Sequence, residues 1–385
     1  MIFDDRLCFF ALKGLGSLTM NIAQYLEYMK NKQASDLFFS AGFPVLVKIQ
    51  GSSAAINKDT RLSSAETKEL AYSLMNDQQI KKFDENMSVS VGISVPDLGR
   101  FRLSVFRQRG SVAMVIRCIK TSPPSLAELQ LPERLGPLMF EKRGLILVAG
   151  ATGSGKSSTL AAMIDFRNTH AAGHILTIED PIEYLFSYKK SIVNQREVSI
   201  DARSYSEALK SAMREAPDVI MIGEIRDTDT MKQAVVYSET GHLCLATIHA
   251  SNAVETLDRI INFFPPDDRK QILIDLSRNL HAVICQRLVK SKNGTLMPAL
   301  EVLKNSPYFS ELIQKGKIDE LTEAFDRDMD QNVITFDQSL IELYKKGHIT
   351  AEEAVKNADS KHNIQVQIRL KEGHKDLTQS WEVKN

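Results

Sequence analysis

The residues with the plainest chemical meaning are Gly150-Ala-Thr-Gly-Ser-Gly155-Lys156-Ser157, a glycine-rich turn closing on an amine and a hydroxyl. The turn follows an apolar run at 145–149 directly and leads into a helical stretch at 158–165. Glycines at this spacing let backbone N–H groups turn inward, and a helix N-terminus adds partial positive charge, which together cradle phosphate. Lys156 would reach the β- and γ-phosphates and the Ser157 hydroxyl would ligate Mg2+. Gly150, Thr152, Gly153, Ser154, Gly155, Lys156, Ser157 and Ser158 are therefore the candidate nucleotide cradle.

Other groups fit around it. Asp218-Val-Ile-Met-Ile-Gly-Glu224 is an apolar strand ending in a carboxylate. The metal side of a phosphate site needs such a group, making Glu224 a second candidate metal ligand beside Ser157. Glu179-Asp180-Pro181-Ile182-Glu183 follows another short strand; its acids suit a metal-bound water or a general base, and equally suit turn and helix-start positions. His242 and His249 bracket the strand at 243–248. At roughly 3.3 Å per residue they lie too far apart to share one metal. His249, at the C-terminal end, faces the nucleotide side and could sense γ-phosphate, or could be simply hydrogen-bonded structure. Arg100, Arg102, Arg107, Arg109 and Arg117 cluster with no acid between Asp97 and Glu128. They read either as arginines supplied to a neighbouring subunit's phosphates or as a solvated strand face.

These groups must be held by a scaffold, and the chain has the material for one. Its 385 residues allow two or three domains, and 43% apolar with 25% charged residues exclude wholesale disorder. Forty-eight basic residues balance 48 acidic ones, against a protein that grips duplex DNA through phosphates. Cys8, Cys118, Cys244 and Cys285 are scattered, giving neither a zinc knuckle nor a disulfide framework, and no apolar run reaches spanning length. Residues 1–19 read as an upstream extension and 20–120 as a small α+β domain. In that domain Ser63 and Glu66 form a capping box, and Phe101, Leu103 and Val105 alternate with polar neighbours into a hairpin ending near Cys118. Residues 121–136, with Pro123, Pro124 and Pro132, read as a connector. From Gly144 short apolar runs at 145–149, 175–178, 219–222 and 243–248 alternate with helices, the pattern of a parallel α/β sheet. Beyond Pro266 the spacing of Ile272, Leu276, Leu280 and Ile284 predicts helix. Small helices follow to 358, then a polar mobile tail over 359–385.

Taken together these elements resemble the type IV pilus retraction ATPases, the PilT/PilU group of the secretion-ATPase superfamily, from about residue 20 to about residue 346. The matching blocks are GATGSGKS at 150–157, TIEDPIEY at 177–184, APDVIMIGEIRD at 216–227 and ETGHLCLATIHASNA at 239–253. By this resemblance Glu224 is the Walker-B glutamate, Glu183 the catalytic glutamate and His249 the histidine-box residue, with Lys156 completing the catalytic set. The arginines that reach a neighbour's nucleotide fall among Arg102, Arg107 and Arg117. Retraction ATPases of the PilT type carry an A-I-R-N-L motif where this chain has Pro307-Tyr-Phe-Ser-Glu-Leu312. That departure, and the extended C-terminus, look like the accessory PilU branch.

The resemblance implies a PAS-like domain at 20–120 and a RecA-like ATPase domain at 137–358, forming a homohexameric ring that binds ATP and Mg2+. It implies a cytoplasmic motor docked on an inner-membrane pilus platform protein, working with a PilT-like partner, without membrane insertion and without nucleic acid. Two other readings stand beside it: a weakly hydrolysing ATP-binding subunit that couples another motor, and a RecA-like nucleic-acid translocase.

Overall fold

Strand-forming alternation near the N-terminus and continuous apolar runs further on build two different sheets. The computed structural model describes residues 21–49, 51–119, 122–327 and 333–372, so the extension expected at 1–19 lies outside the described residues. The chain divides between residues 120 and 121 into two compact units.

The first unit runs α1 (Ile22–Asn31), β1 (Asp36–Ser40), β2 (Leu46–Ile49), β3 (Ser52–Ala55), α2 (Ser64–Ser73), α3 (Asp77–Asn86), β4 (Ser88–Val95), β5 (Gly99–Gln108) and β6 (Ser111–Ile119). Its six strands pair antiparallel in the order β3-β2-β1-β6-β5-β4. The predicted hairpin is β5–β6, with Phe101, Leu103 and Val105 buried on one face. All three helices open with reciprocal capping boxes, Asn21 with Gln24, Ser63 with Glu66 and Asn76 with Gln79. Each box satisfies N–H groups that a helix start otherwise leaves bare.

The second unit holds β7 (Gly144–Ala149), α4 (Lys156–His170), β8 (Gly173–Glu179), β9 (Ser191–Glu197), α5 (Tyr205–Ala212), β10 (Val219–Ile222), α6 (Thr228–Glu239), β11 (Leu243–Ile248) and α7 (Ala253–Phe263). It continues through α8 (Arg269–Asn279), β12 (Leu280–Lys290), β13 (Leu296–Lys304), α9 (Pro307–Gln314), α10 (Glu320–Arg327), β14 (Val333–Ile334), α11 (Phe336–Lys345), α12 (Ala351–Asn357) and α13 (Lys361–Glu372). The sheet order is β14-β13-β12-β7-β11-β10-β8-β9. From β12 to β9 every pairing is parallel, while β13 and β14 add antiparallel. Along β7, Leu145, Leu147 and Ala149 enter one core and Ile146 and Val148 the other. Both faces are covered, which is why these strands read as unbroken apolar runs.

Two expectations need correction. Leu280 and Ile284 are not helical: α8 ends at Asn279, and both lie in β12, parallel to β7. Spacing of four suits a helix, but the open edge of β7 takes this segment as a strand. The proline-rich connector is not exposed throughout: Leu126, Leu131 and Leu135 are buried with Ile146 and Leu160. Nor does a mobile tail begin at 359. Asp337 accepts the N–H groups of Asp359 and Ser360 at 2.8 and 3.0 Å, and Ile364 and Ile368 of α13 are buried in the main core. The rest of that tail, from 373, lies outside the described residues.

Candidate active site

Parallel strands in register end along one edge. Ile222 pairs with Ile178 on one side and Ala246 on the other, and Ile248 pairs with Ala149. Neighbouring strands sit about 4.8 Å apart, so the loops leaving β7, β11, β10 and β8 emerge side by side. Those loops carry Gly150–Gly155, His249, Glu224 and Glu183 respectively.

The phosphate-type turn has the conformation its sequence demands. Gly153 and Gly155 lie in the left-handed region at φ +80° and +91°. A Cβ on Gly155 would also come within 2.7 Å of Gln286, so bulk is excluded there. Helix α4 then starts with no side-chain cap, leaving the N–H groups of its first turn for a ligand. Ser154 Oγ is buried with no hydrogen-bond partner, and space around Gly153 is open. An uncapped helix start, an orphaned hydroxyl and an open glycine fit a bound phosphate group.

Lys156 is 8% exposed, and its Nζ donates to the carbonyls of Gly150 and Ala151 at 2.8 and 2.9 Å. Burial pushes its pKa down, while Glu224 and Glu183 hold it up. The ammonium therefore lies within the electrostatic reach of both acids. Gln286 of β12 braces the turn from behind: its amide donates to the Ser154 carbonyl at 2.7 Å and its oxygen accepts the Thr159 hydroxyl at 2.6 Å. Ser158 shares a 2.7 Å hydrogen bond with the Tyr184 hydroxyl. Ser157 is exposed at the helix start.

The acid-rich segment after β8 divides its labour. Glu179 points inward and is buried, accepting from the Thr177 hydroxyl at 2.7 Å, from Gln195 at 3.1 Å and from the Glu183 backbone N–H. Burial pushes its carboxyl up to about 6, against those hydrogen bonds. Glu197 of β9 accepts the Ile182 N–H at 3.3 Å. Two buried carboxylates thus hold the backbone of residues 182 and 183, and the Glu183 side chain itself is exposed.

Glu224 and His249 meet, with Oε1 and Nε2 3.1 Å apart, and Arg226 donates to the other oxygen at 2.6 Å. A carboxylate only accepts, so the proton of a neutral ring sits on Nε2. Burial, then Lys156, lowers the His249 pKa while Glu224 opposes them, so the ring is neutral at neutral pH. His242 is at the opposite end of β11, hydrogen-bonded near Tyr237 and Thr240.

The arginines lie in the first unit, and Arg102, Arg107 and Arg117 are engaged there. Arg102 Nε donates to Ser90 at 3.1 Å, Arg107 meets Asp84 at 3.2 Å, and Arg117 meets Asp36 at 2.7 Å. Arg102 and Arg117 are cross-strand neighbours, and Asp36 stands opposite Arg117 on its other side. Asp36 therefore relieves one of two like charges that would repel across the ladder.

Gln286, Tyr184 and Glu197 are the site residues that sequence reasoning missed, while Glu179 was read as one of three candidate acids without its inward role. Of these, Gln286 left a signal, a polar side chain directly after the apolar run Ala282–Cys285 and buried beside it.

Residues 12–376 match the family model described as Type II/IV secretion system protein. The chain belongs to that family. It is 48% identical over 352 residues to the type IV pilus ATPase PilU of Pseudomonas aeruginosa, covering 91% of this chain and 92% of that protein. It is 38% identical to the retraction ATPase PilT of the same organism, covering 90% of this chain and all of that one. Among solved structures, the pilus retraction motor PilT with bound ADP superposes with TM-score 0.83 at 40% identity, over 89% of this chain and 98% of that one. The expected resemblance to PilT/PilU-like ATPases with an α/β fold holds on these grounds. The chain is accordingly an ATPase of the secretion family. Among the described residues no helix is long and apolar enough to cross a membrane.

Proposed function

We propose that the chain is a homohexameric ATPase subunit that powers or assists type IV pilus retraction in the manner of PilU, with a PilT-like partner and a platform protein at the inner face of the membrane. The observation that carries the reading is the convergence of Lys156, Glu183 and the Glu224–His249 pair at one edge of the parallel sheet.

Each residue's part follows from its surroundings. The first turn of α4 and Lys156 bind the β- and γ-phosphates, with Lys156 exchanging two loop carbonyls for phosphate oxygens of opposite charge. Ser157 and Glu224 are the oxygen donors available to Mg2+, which keeps most of its shell as water and phosphate. Bound there, the ion would neutralise charge developing on the transferred phosphoryl group. Glu183, held by its backbone and free at its carboxylate, orients and deprotonates the attacking water. His249, neutral and hydrogen-bonded to Glu224, distinguishes a triphosphate from a diphosphate through the terminal phosphate. Arginine from Arg102, Arg107 or Arg117 of a neighbouring copy completes the site. Differential contact in the two nucleotide states is the free energy available for movement.

The test is steady-state ATP hydrolysis with solution mass on the full chain, beside Lys156→Ala. Hydrolysis by a hexamer, lost in the variant, is expected; wild-type hydrolysis by the variant overturns the cradle assignment. One observation favours the coupling-subunit reading: Ser310, in the segment where PilT-type chains carry arginine, is tucked against the Ser277 carbonyl at 2.8 Å. A hexamer that binds ATP without turnover would select that reading.

A further inference from the structure

Away from the strand ends that face the nucleotide, one buried carboxylate is wired to them. Glu301 lies on β13 between Ala299 and Leu303, both in the apolar core, and is only 5% exposed. Register sets it opposite Cys285 of β12, where the alternation of the strand calls for an apolar side chain. Its Oε1 instead accepts the backbone N–H of Ala253 at 2.7 Å. Ala253 is the first residue of α7, and the turn leading into it carries His249.

That turn is otherwise closed on itself. Asn252 accepts the Glu255 N–H at 2.8 Å, Glu255 accepts the Ser251 N–H at 2.8 Å, and Thr256 donates to the Asn252 carbonyl at 2.7 Å. Glu301 supplies the acceptor that ties it to the sheet. An ionisable group among aliphatic side chains is unfavourable without such a contact, and a helix N-terminus is where its charge is best tolerated. Cys285 and Arg287 of β12 and Asp359, between α12 and α13, are the titratable and charged groups that act on it.

We infer that Glu301 is a positioning residue for hydrolysis: by holding the N-terminus of α7 it fixes the turn that sets His249 against Glu224. This rests on the proposed role of the His249–Glu224 pair. Glu301 touches no nucleotide and acts only through that turn. Displacements near 1 Å in such a site lower rates by up to about a hundredfold.

The bond can be broken from either side. Glu301→Leu suits the apolar surroundings but leaves the Ala253 N–H without its acceptor, while Glu301→Gln keeps an acceptor oxygen. Ala253→Pro deletes the donor at a first-turn position where proline is accommodated, after an extended Asn252 at φ −154° and ψ 177°. Hydrolysis and fluorescent-ADP binding are measured on the full chain for these variants, for His249→Ala and for Glu301→Leu combined with His249→Ala. Glu301→Leu and Ala253→Pro are each expected to lower kcat about tenfold, with KM and ADP affinity within about threefold of wild type. Glu301→Gln should restore kcat to within about threefold, and the double variant should be no slower than His249→Ala alone. Should the leucine variant not fold, Ala253→Pro carries the test.

Wild-type kcat in Ala253→Pro or Glu301→Leu with an impaired His249→Ala overturns the inference and leaves the reading of the pair standing. Losses that multiply in the double variant, or a glutamine no better than leucine, also overturn it. A His249→Ala enzyme at full rate overturns the reading of the pair and this inference with it.

Discussion

Glu301 also makes a quantitative prediction about stability. Burial pushes its carboxyl from an ordinary 4.5 up to about 7, against the Ala253 hydrogen bond that favours the ionised form. A folded pKa above the unfolded one means that the group costs nothing below about 4.5, where both states are protonated. Between 4.5 and 7 only the unfolded chain ionises, and stability falls by about 1.4 kcal/mol per pH unit. Above 7 the loss is complete, roughly 3 kcal/mol, and Glu301→Gln removes it. The variant's stability relative to wild type should therefore rise by about 3 kcal/mol between pH 4.5 and pH 8. Comparing both proteins at each pH cancels Glu179, which moves in the same direction, and Glu255 and Glu342, whose lowered values move oppositely. A chain of two units need not unfold in one step, so hydrogen exchange of the β13 and α7 amides is the suitable assay. The slowest of those amides should exchange about a hundredfold more slowly in the variant at pH 8, relative to wild type, than at pH 4.5. A pH-independent ratio, or a gain confined to low pH, would refute the buried-charge argument.

Four further outcomes are expected. Gln286→Leu leaves the Thr159 hydroxyl and the Ser154 carbonyl unpaired, so stability should fall by about 2 kcal/mol and ADP affinity should drop, measured by denaturation and titration. Arg102→Ala, Arg107→Ala and Arg117→Ala should include one variant that loses turnover far more than nucleotide affinity; equal loss of affinity, with turnover kept, would reduce these residues to simple binding. Arg117→Ala should also weaken the first unit, because Asp36 is 4% exposed and loses its guanidinium, although Arg117 itself is 61% exposed and the effect is small. Ile368→Ala should destabilise the second unit by about 2–4 kcal/mol, visible as faster exchange in α13, whereas a mobile segment there would show no change.

How the site comes together separates two kinds of information. The turn at 150–157 was legible because its geometry is local: glycine spacing sets the left-handed positions, and the lysine and hydroxyl follow within one helical turn. The strands at 145–149, 219–222 and 243–248 were legible because burial on both faces leaves an unbroken apolar run. The division of the acid-rich segment was not, since Glu179 and Glu183 are the same residue type four apart and only the packing turns one inward.

Residue order settles what a short stretch of backbone can do: cup a phosphate, run buried through a sheet, end in a carboxylate. It leaves open which strand lies beside which. Leu276, Leu280 and Ile284 keep helical spacing, yet the last two belong to β12 because β7 offers them hydrogen-bonding partners. Gln286 and Glu301 take their meaning wholly from that arrangement, one reaching the cradle from β12 and the other the His249 turn from β13. Their partners lie 132 and 48 residues away in the chain, a distance that pairing in the folded sheet closes and that no local pattern records.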